Sequence, residues 1–243
     1  MTDVDDLRPL RDRVAKACRV LGKVELTKST FGHISVRVPG TDALLIRARG
    51  PGESGIRYTA ADDVIGVDFD GNKIDGRDDL DVPKEIFIHT WVYRTRPDVQ
   101  SVLHAHPSTV MMFTICNKPL LPLFGAYDPG CLRLLTEGLS TYPRSVLICT
   151  DELGKDLAST MQDRSCRACL MRGHGITTCG ASIEEATLTA IRLNDLADIN
   201  YRAHLLGDPQ PISEEDVRSF DDVKDTGPAA SWRYYCRLVG EDY

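Results

Sequence analysis

The sequence lacks the features that would direct the protein to a membrane, out of the cell or onto a nucleic acid. None of its apolar runs approaches the roughly 20 residues needed to cross a bilayer. The amino-terminal segment is charged where a signal peptide would be apolar, so we expect a cytoplasmic protein. Acidic residues outnumber basic ones by 36 to 29, and the net charge of −7 argues against nucleic acid or an anionic membrane as partner.

The sequence also lacks the second Cys-x-x-Cys pair that a structural zinc site of that kind requires. It has eight cysteines, mostly in apolar segments, and only Cys166-Arg-Ala-Cys169 shows this spacing. Cysteines of a cytoplasmic chain of this size are usually reduced and packed as small hydrophobic residues. We therefore expect core thiols and no disulfide framework.

Helical and extended patterns alternate along the chain, with no internal repeat and no linker rich enough to separate domains. Apolar residues at helical spacing predict a helix over 4–22, and a capping box at Ser182-Ile-Glu-Glu185 opens a long helix to about Leu206. A turn at Pro39-Gly40 between two strand-like runs predicts a hairpin. Further strands are predicted at 64–69, 99–106, 145–149, 168–171 and 176–179, and further helices at 82–95, 107–116 and 151–162. The simplest interpretation is one α/β domain over residues 1–243.

Three of the six histidines have the pattern of a metal site. His104 and His106 end a predicted strand, and because strand side chains alternate, both imidazoles project from the same face. His174 lies between two glycines, which let the backbone turn and approach a site closely. Three neutral imidazoles with a position left open are typical of a catalytic cation site rather than a structural one.

Glu85 is a candidate fourth member of this site. It lies four residues before His89, so the two share one helical face. A carboxylate beside a divalent cation acts as a fourth ligand or as an acid or base, and the sequence leaves both roles open. His89 is expected to be a hydrogen-bonded helix histidine. The alternative for the whole set is coincidence, with His174 in an ordinary loop and Glu85 a solvated residue of a first helical turn.

Several short motifs, in their order and spacing, resemble the class II aldolase/adducin family over about residues 8–205 and leave a tail at 207–243. They are Gly32-x-Ile-Ser35, Thr59-Ala-Ala-Asp-Asp63, Val67-Asp-x-Asp-Gly71, Glu85-x3-His89-x3-Tyr93, Arg96-Pro-Asp-Val99, His104-Ala-His-Pro107 and Gly173-His-Gly175. The resemblance implies a central mixed β-sheet flanked by helices, and a homotetramer with active sites between subunits. It also implies a divalent metal on the three histidines of this pattern, with Glu85 as the acid/base residue. Zinc, manganese, iron, cobalt and magnesium stay open as its identity.

The chain departs from the sugar-phosphate aldolases of this family at three points. It has Gly32-His33 where they have Gly-Asn, and Pro83-Lys84 where they have a Ser-Ser pair. Their Thr-x-Ser-Gly phosphate loop is replaced by Arg47-Ala-Arg49-Gly-Pro-Gly52. Small hydroxyls suit a compact phosphate, whereas arginine binds a planar carboxylate through two parallel hydrogen bonds. This basic pattern resembles the non-oxidative decarboxylases of dihydroxyphthalate-type acids more than the aldolases.

The favoured hypothesis is a metal-dependent lyase that decarboxylates a 3,4-dihydroxyphthalate-like acid in aromatic catabolism. Candidate substrate residues are Arg47, Arg49 and Lys84 for carboxylates, His33 as a second polar contact, and Tyr127, Tyr234 or Tyr235 to close the site. Each basic residue has a surface charge as its alternative role, and each tyrosine a packing role. Two other hypotheses stay open: a sugar-phosphate aldolase, epimerase or dehydratase, and a non-catalytic adducin-like binding domain.

Overall fold

A computed structural model of the chain describes residues 7–220, 223 and 228–241. Its strands are β1 (His33–Arg37), β2 (Ala43–Arg47), β3 (Val64–Asp68), β4 (Lys73–Asp75), β5 (Ser101–Ala105), β6 (Leu139–Tyr142), β7 (Ala168–Met171) and β8 (Gly175–Gly180). Its helices are α1 (Arg8–Lys23), α2 (Ile86–Thr95), α3 (Ser108–Ile115), α4 (Pro129–Glu137), α5 (Asp151–Ser159), α6 (Ile183–Leu206), α7 (Glu214–Arg218) and α8 (Pro228–Leu238). None of the helices in these ranges is long and apolar enough to span a membrane.

The strands form one sheet in the order β4-β3-β2-β1-β5-β8-β7-β6. Every neighbouring pair is antiparallel except β6 and β7, which run parallel. The sheet is therefore mixed, and the predicted α/β class with a central mixed sheet is confirmed. The long connection between β1 and β5 carries the β2–β3–β4 hairpins and α2, so residues far apart in sequence meet on neighbouring central strands.

The two faces of the sheet are covered by different helices. Ile34 and Val36 of β1 belong to a core that includes residues of α1 and α6. The opposite face packs against α2 and α5, whose Val92 and Leu157 share a second core with Val102 of β5. Because β1 alternates, His33 and Ser35 turn away from α1 and toward α2. Polar residues on this second face thus become buried between the sheet and α2.

The predicted start of the last long helix is confirmed by its cap. The backbone N–H of Glu185 donates to the Ser182 hydroxyl at 3.2 Å, and the Glu185 carboxylate accepts from the backbone N–H of Ala181 at 2.8 Å. These bonds satisfy amide groups that have no partner inside a helix. The helix over 4–22 is confirmed as α1 from Arg8, and residues 4–6 lie outside the described part of the chain.

Two sequence predictions need correction. Residues 145–149 form no strand; the strand beside β7 is β6, which Pro143 follows directly, so the chain leaves the sheet before the apolar run. The helix predicted over 82–95 begins only at Ile86, because the preceding residues form a turn in which the Ile86 N–H donates to Pro83 at 3.0 Å. Both irregular segments lie beside the candidate site.

The carboxyl-terminal segment adds a helix that the sequence patterns did not predict. In α8, Trp232 is buried and Tyr235 is half-buried against the core formed with α1 and α6, while Tyr234 is exposed. Trp232 and Tyr235 therefore pack with α1 and α6, on the opposite side of the sheet from α2, and the structure does not bring Tyr234 or Tyr235 to the candidate site as the sequence had suggested. All eight cysteines are free. Six of them, including Cys166 and Cys169, are buried as predicted, whereas Cys116 and Cys149 are exposed, so the prediction of core thiols was wrong for these two.

Candidate metal centre

Four side chains from three separate segments converge on the α2 face of the sheet. Glu85 immediately precedes α2, His104 is in β5, His106 follows β5, and His174 is in the turn between β7 and β8. One nitrogen or oxygen atom from each of the four lies within 4.8 Å of those of the other three. The structure thus brings together residues that are up to 89 positions apart in the sequence.

β5 fixes the orientation of its histidine. The fully buried His104 ring has Nδ1 at 2.9 Å from the Ile176 carbonyl oxygen on β8. A carbonyl only accepts hydrogen bonds, so Nδ1 carries the proton and Nε2 presents a lone pair to the cluster. The Nε2 atoms of His104 and His106 are 2.8 Å apart. The two rings thus point their nitrogens at a common position.

The turn before β8 depends on its two glycines. Gly173 has φ of +59°, a backbone conformation that favours glycine, and the His174 N–H closes the turn on the Met171 carbonyl at 3.1 Å. A Cβ atom at Gly175 would lie 2.2 Å from the Ala105 carbonyl oxygen and 2.9 Å from the His106 ring. The glycine pair therefore allows β8 to approach β5 at the point where the histidines meet.

Glu85 is held from two sides. The backbone N–H of Ile148 donates to Oε1 at 2.9 Å, and Oε2 lies 3.5 Å from Nε2 of both His104 and His174. Burial alone would raise the pKa of this carboxyl, but its contacts with the two histidines outweigh burial and hold the pKa well below the ordinary range. The side chain is therefore a carboxylate at neutral pH. The irregular segment that replaces the predicted strand at 145–149 is what supplies the Ile148 N–H.

These donors suit a divalent cation. Three imidazole nitrogens and one carboxylate oxygen form a mixed set that zinc and other divalent metals accept, with metal–ligand bonds of about 2.0–2.2 Å. The donor separations of 2.8–3.5 Å between the named pairs match atoms arranged around such an ion. Burial and the neighbouring His104 and His174 lower the pKa of His106 to about 3, so this ring is neutral and able to coordinate at neutral pH.

A chain of buried hydrogen bonds lies directly beside the cluster. His33 pairs with His104 across β1 and β5, and their ring centroids are 5.3 Å apart. Nδ1 of His33 is 2.7 Å from Nε2 of His89, and Nδ1 of His89 is 2.7 Å from the Ser35 hydroxyl. The Ser35 hydroxyl is 2.8 Å from the Tyr93 hydroxyl. His89 thus has both ring nitrogens hydrogen-bonded, which agrees with its interpretation as a hydrogen-bonded helix histidine.

The two arginines of the predicted carboxylate site differ in position. Arg47 pairs with Val64 of the α1 core and is fully buried; it donates to Thr59, to two backbone carbonyls and to Glu53. Arg49 is partly exposed and also contacts Glu53, at 3.3 Å. Its charge contributes, after burial and the neighbouring histidines, to the lowered pKa of both His33 and His106. Arg49 therefore acts electrostatically on the histidine cluster, whereas the Arg47 guanidinium holds the loop that leads to His33 through the carbonyl oxygens of Thr30 and Gly32.

The remaining predicted residues are on the surface. Lys84 is exposed next to Glu85. Tyr127 is 77% exposed, in a segment between α3 and α4, and its only recorded ring contact among described residues is Phe124, with centroids 5.4 Å apart. The structure of one chain thus does not bring Tyr127 into the cluster.

Sequence reasoning missed three features of this site. Ser35 and Tyr93 had a signal, because Ser35 alternates with His33 on β1 and Tyr93 follows His89 by one helical turn. Glu53, which binds both arginines, had no signal beyond its place in a glycine-rich loop. The third is Phe31, 54% exposed, whose ring meets His106 edge-to-face with centroids 5.7 Å apart. It places an apolar surface next to the metal-ligand candidates.

Known proteins are similar to this chain in sequence and in fold. The chain is 35% identical to the 3,4-dihydroxyphthalate decarboxylase of Arthrobacter keyseri, over 92% of this chain and 91% of the relative. It is 36% identical to the 3,4-dihydroxyphthalate decarboxylase of Rhodococcus jostii (strain RHA1), over 96% of both chains. The fold matches the L-fuculose 1-phosphate aldolase from Glaciozyma antarctica PI12 with a TM-score of 0.81 at 20% identity, over 100% of this chain and 95% of that one. The family model for the class II aldolase and adducin N-terminal domain matches residues 12–201, and the chain belongs to that family.

Proposed function

We propose that the protein is a metal-dependent, non-oxidative decarboxylase of an ortho-hydroxylated aromatic dicarboxylate similar to 3,4-dihydroxyphthalate. The observation that carries this proposal is the cluster of Glu85, His104, His106 and His174 with Arg49 and the exposed Phe31 beside it. The similarity at 35–36% identity to 3,4-dihydroxyphthalate decarboxylases over most of the chain supports the substrate class. Matches to decarboxylases support a lyase.

The three histidines would hold a divalent cation, with Glu85 as a fourth ligand or a proton carrier. When bound, such a cation stabilises negative charge on a substrate oxygen next to the bond that breaks. Loading the protein with zinc, manganese, iron, cobalt or magnesium in turn identifies the cation that supports activity.

The protein side chains supply binding and proton transfer. Arg49 binds a carboxylate, Lys84 is near enough in sequence to Glu85 to bind the second, and Phe31 packs against the aromatic ring. During the reaction the bond between ring carbon and carboxylate breaks, its electron pair stays on the ring, and carbon dioxide leaves. A proton then bonds to that carbon; the ionised Glu85 can take it from a substrate hydroxyl and deliver it there. One proton from solvent is consumed in each turnover.

A homotetramer with active sites between subunits is part of the proposal. Tyr127 is exposed on the single chain, so a neighbouring protomer would be the one to bring it to a cluster. This arrangement would give an exposed tyrosine a catalytic position without moving the loop that carries it.

Sugar-phosphate chemistry is the alternative within the family, and the structure gives it less support. In the segment that replaces the phosphate loop, a Cβ atom at Gly52 would lie 2.1 Å from a carboxylate oxygen of Asp79. The Arg77 guanidinium pairs with this carboxylate at 2.6 Å, so what disfavours a phosphate is the loop itself, Arg47 to Gly52, which has no hydroxyl side chain. An adducin-like domain without metal has no use for four converging donors.

The test combines metal analysis with an assay of carbon dioxide release. Purified protein loaded separately with each of the five metals is given 3,4-dihydroxyphthalate, phthalate without hydroxyls, and L-fuculose 1-phosphate. We expect carbon dioxide from the first compound only. Cleavage of the sugar phosphate without decarboxylation would replace this proposal by the aldolase alternative, and inactivity on all three compounds would contradict it.

The matched variants are His104→Ala and His204→Ala. His104 belongs to the cluster, whereas His204 lies on α6 with Nδ1 2.7 Å from the Asn200 carbonyl oxygen. We expect His104→Ala to lose the bound metal and at least 100-fold in kcat, an effect of the size seen when an electrostatic catalytic group is removed. His204→Ala should keep both. Full activity of His104→Ala without bound metal would refute the assignment.

A further inference from the structure

His33 is the residue at which the buried hydrogen-bond chain ends next to the metal-ligand cluster, with its ring centroid 5.3 Å from that of His104. Its Nδ1 is used by His89, and no hydrogen bond to its Nε2 is found within the described residues. Burial, with His89 and His104 nearby, holds the pKa of His33 well below 6.5, so the ring is neutral. A neutral imidazole has one N–H and one lone pair, and which of the two Nε2 presents depends on the other end of the chain.

The far end of the chain is fixed at Ser35. Its hydroxyl has a single hydrogen and three neighbours: the Tyr93 hydroxyl, Nδ1 of His89 and the Val102 carbonyl oxygen, the last at 3.4 Å. The Val102 carbonyl can only accept a hydrogen bond. Burial chiefly lowers the pKa of His89, but a hydrogen bond to this carbonyl raises it, as expected where His89 is the donor. All three contacts are satisfied together when Ser35 donates to Val102 and accepts from both Tyr93 and His89.

This arrangement sets the protons along the rest of the chain. If Nδ1 of His89 donates to Ser35, then Nε2 of His89 holds a lone pair and must accept from Nδ1–H of His33. The remaining nitrogen of His33, Nε2, then also holds a lone pair. In the reverse arrangement, Nδ1 of His89 would hold its lone pair next to the Val102 carbonyl oxygen. Ser35 would then donate to His89 and would have no proton left for its 3.4 Å contact with that oxygen.

The charges around the near end have opposite signs and do not set the polarity. Burial, His89 and His104 lower the pKa of His33, the Glu85 carboxylate raises it, and Arg49 lowers it by less. The His104 ring is the metal-ligand candidate beside His33, with the two centroids 5.3 Å apart. The hydrogen bonds at the Ser35 end therefore determine which nitrogen of His33 carries the proton.

We propose that His33 presents an unprotonated Nε2 and recognises a phenolic hydroxyl of the substrate by accepting its hydrogen bond, with His89 and Ser35 as the positioning residues that fix this polarity. The identity of the substrate as an aromatic acid rests on the proposed function; the polarity of His33 does not. A lone pair repels a carboxylate, so His33 selects for the hydroxyl, and the carboxylates are left to Arg49 and Lys84. The sequence had suggested His33 only as a second polar contact within a carboxylate-binding set.

Neutron diffraction tests the polarity directly on crystals of the whole, zinc-loaded protein grown in heavy water. We expect a deuteron on Nδ1 of His33 and on Nδ1 of His89, and none on Nε2 of His33. A deuteron on Nε2 of His33 would overturn the inference. Neither result depends on which substrate the enzyme takes, so the proposed function can fail while this inference stands.

Binding measurements test the consequence for recognition. The probes are catechol and its mono-methyl ether, titrated into the zinc-loaded protein by calorimetry. We expect the wild-type protein to prefer catechol, and His33→Leu to reduce that preference by about tenfold, the size of one hydrogen bond of about 1.4 kcal/mol. His204→Leu is the matched control and should keep the wild-type preference. An unchanged preference in His33→Leu, with zinc content intact, would contradict the role of His33.

Discussion

Arg47 and Arg49 show how two identical residues, two positions apart, acquire different roles. Arg47 is the last residue of β2 and its guanidinium is used up by Thr59, Glu53 and backbone carbonyls on the α1 side. Arg49 follows the end of the strand, where it bridges to Asp81 through its backbone, and its charge reaches His33 and His106. Burial and partners, not residue type, separate the structural arginine from the binding candidate.

We expect Arg49→Ala to raise KM for the dicarboxylate by about 10–100-fold, because a charge-assisted hydrogen bond is worth about 1.5–3 kcal/mol. Its kcat and its free energy of unfolding should change little, since Arg49 is partly exposed. The measurement is steady-state kinetics together with urea unfolding. An unchanged KM would remove Arg49 from the binding site.

The matched change Arg47→Ala should instead destabilise the fold. It removes one partner of a buried ion pair and leaves Glu53 with a lone exposed partner in Arg49. Breaking such a pair costs about 3–5 kcal/mol. Urea unfolding should show this loss, and a stable Arg47→Ala protein with a raised KM would instead place Arg47 among the substrate contacts.

At the scale of elements, the sequence predicted what local patterns encode. The β1–β2 hairpin, β5, β7, β8 and α6 follow from alternation, helical spacing and caps, all of which act within a few residues. The strand prediction for 145–149 was wrong because an apolar pattern does not specify which group the backbone N–H will hydrogen-bond to. Here the Ile148 N–H meets the side chain of Glu85, 63 positions away, instead of a neighbouring strand.

The residues of the candidate site also divide into those that local patterns predicted and those that they did not. His104 and His106 were found because strand alternation places them on one face, and His174 because its flanking glycines mark a close approach. Ser35 was missed although its alternation with His33 places both on one face of β1, and Glu53 was missed because nothing in its glycine-rich loop marks it as the partner of two nearby arginines. Phe31 was missed because its contact with His106 joins segments whose register no local pattern specifies. Which of several equally apolar segments a residue contacts is decided only in the assembled sheet, so the sequence of one chain does not specify it.

Gly175→Ala should damage the site through the sheet. The added Cβ would lie 2.2 Å from the Ala105 carbonyl oxygen, in backbone that cannot move aside without breaking the pairing of β5 with β8. We expect a loss of stability of about 1–3 kcal/mol, the usual cost of overpacking, and weaker metal binding, because His106 and His174 separate. Thermal unfolding and zinc titration measure the two effects.

Gly207→Ala is the control for this change, since nothing lies within 4 Å of its added Cβ. It should leave both stability and zinc affinity near wild type. If Gly175→Ala bound zinc as tightly as Gly207→Ala, the close approach of the two strands would not be what assembles the cluster.

At the scale of the whole molecule, five of the six histidines are grouped on the α2 face, three of them buried and two half-buried. They are His33, His89, His104, His106 and His174. Burial lowers the pKa of His33, His89 and His106, so the fold holds neutral imidazoles in its interior. Such a group supplies metal ligands and hydrogen bonds at neutral pH and makes the fold sensitive to acid.

We expect the stability of the protein to fall as the pH drops below 6.5. His89 has an ordinary pKa of 6.5 that burial, chiefly, and His104 lower to about 3 in the fold, so the unfolded chain takes up a proton in this interval and the folded one does not. Between about pH 7.5 and pH 5, this residue alone should cost about 2 kcal/mol. Urea unfolding of wild type and His89→Gln at both pH values isolates this part, because the glutamine does not titrate. Equal pH dependence in the two proteins would contradict the neutral buried state of His89.

In the proposed homotetramer, each active site requires residues from two protomers. Tyr127 is 77% exposed and separate from the cluster on its own chain, whereas Glu85 is within it. If a site takes its metal ligands from one protomer and Tyr127 from a neighbour, Tyr127→Phe and Glu85→Gln proteins should each be inactive alone. Mixed protomers would form complete sites where a wild-type cluster faces a wild-type tyrosine.

Random reassembly of equal amounts of the two proteins gives about one complete site in four, because each site draws independently on two protomers. We therefore expect unfolding and refolding of the mixture to restore about a quarter of the wild-type rate of carbon dioxide release. The same proteins refolded separately and then combined should stay inactive, which controls for trace wild-type activity. A co-refolded mixture as inactive as its components would mean that Tyr127 and the cluster are not parts of one shared site, and the exposed tyrosine would then be a surface residue.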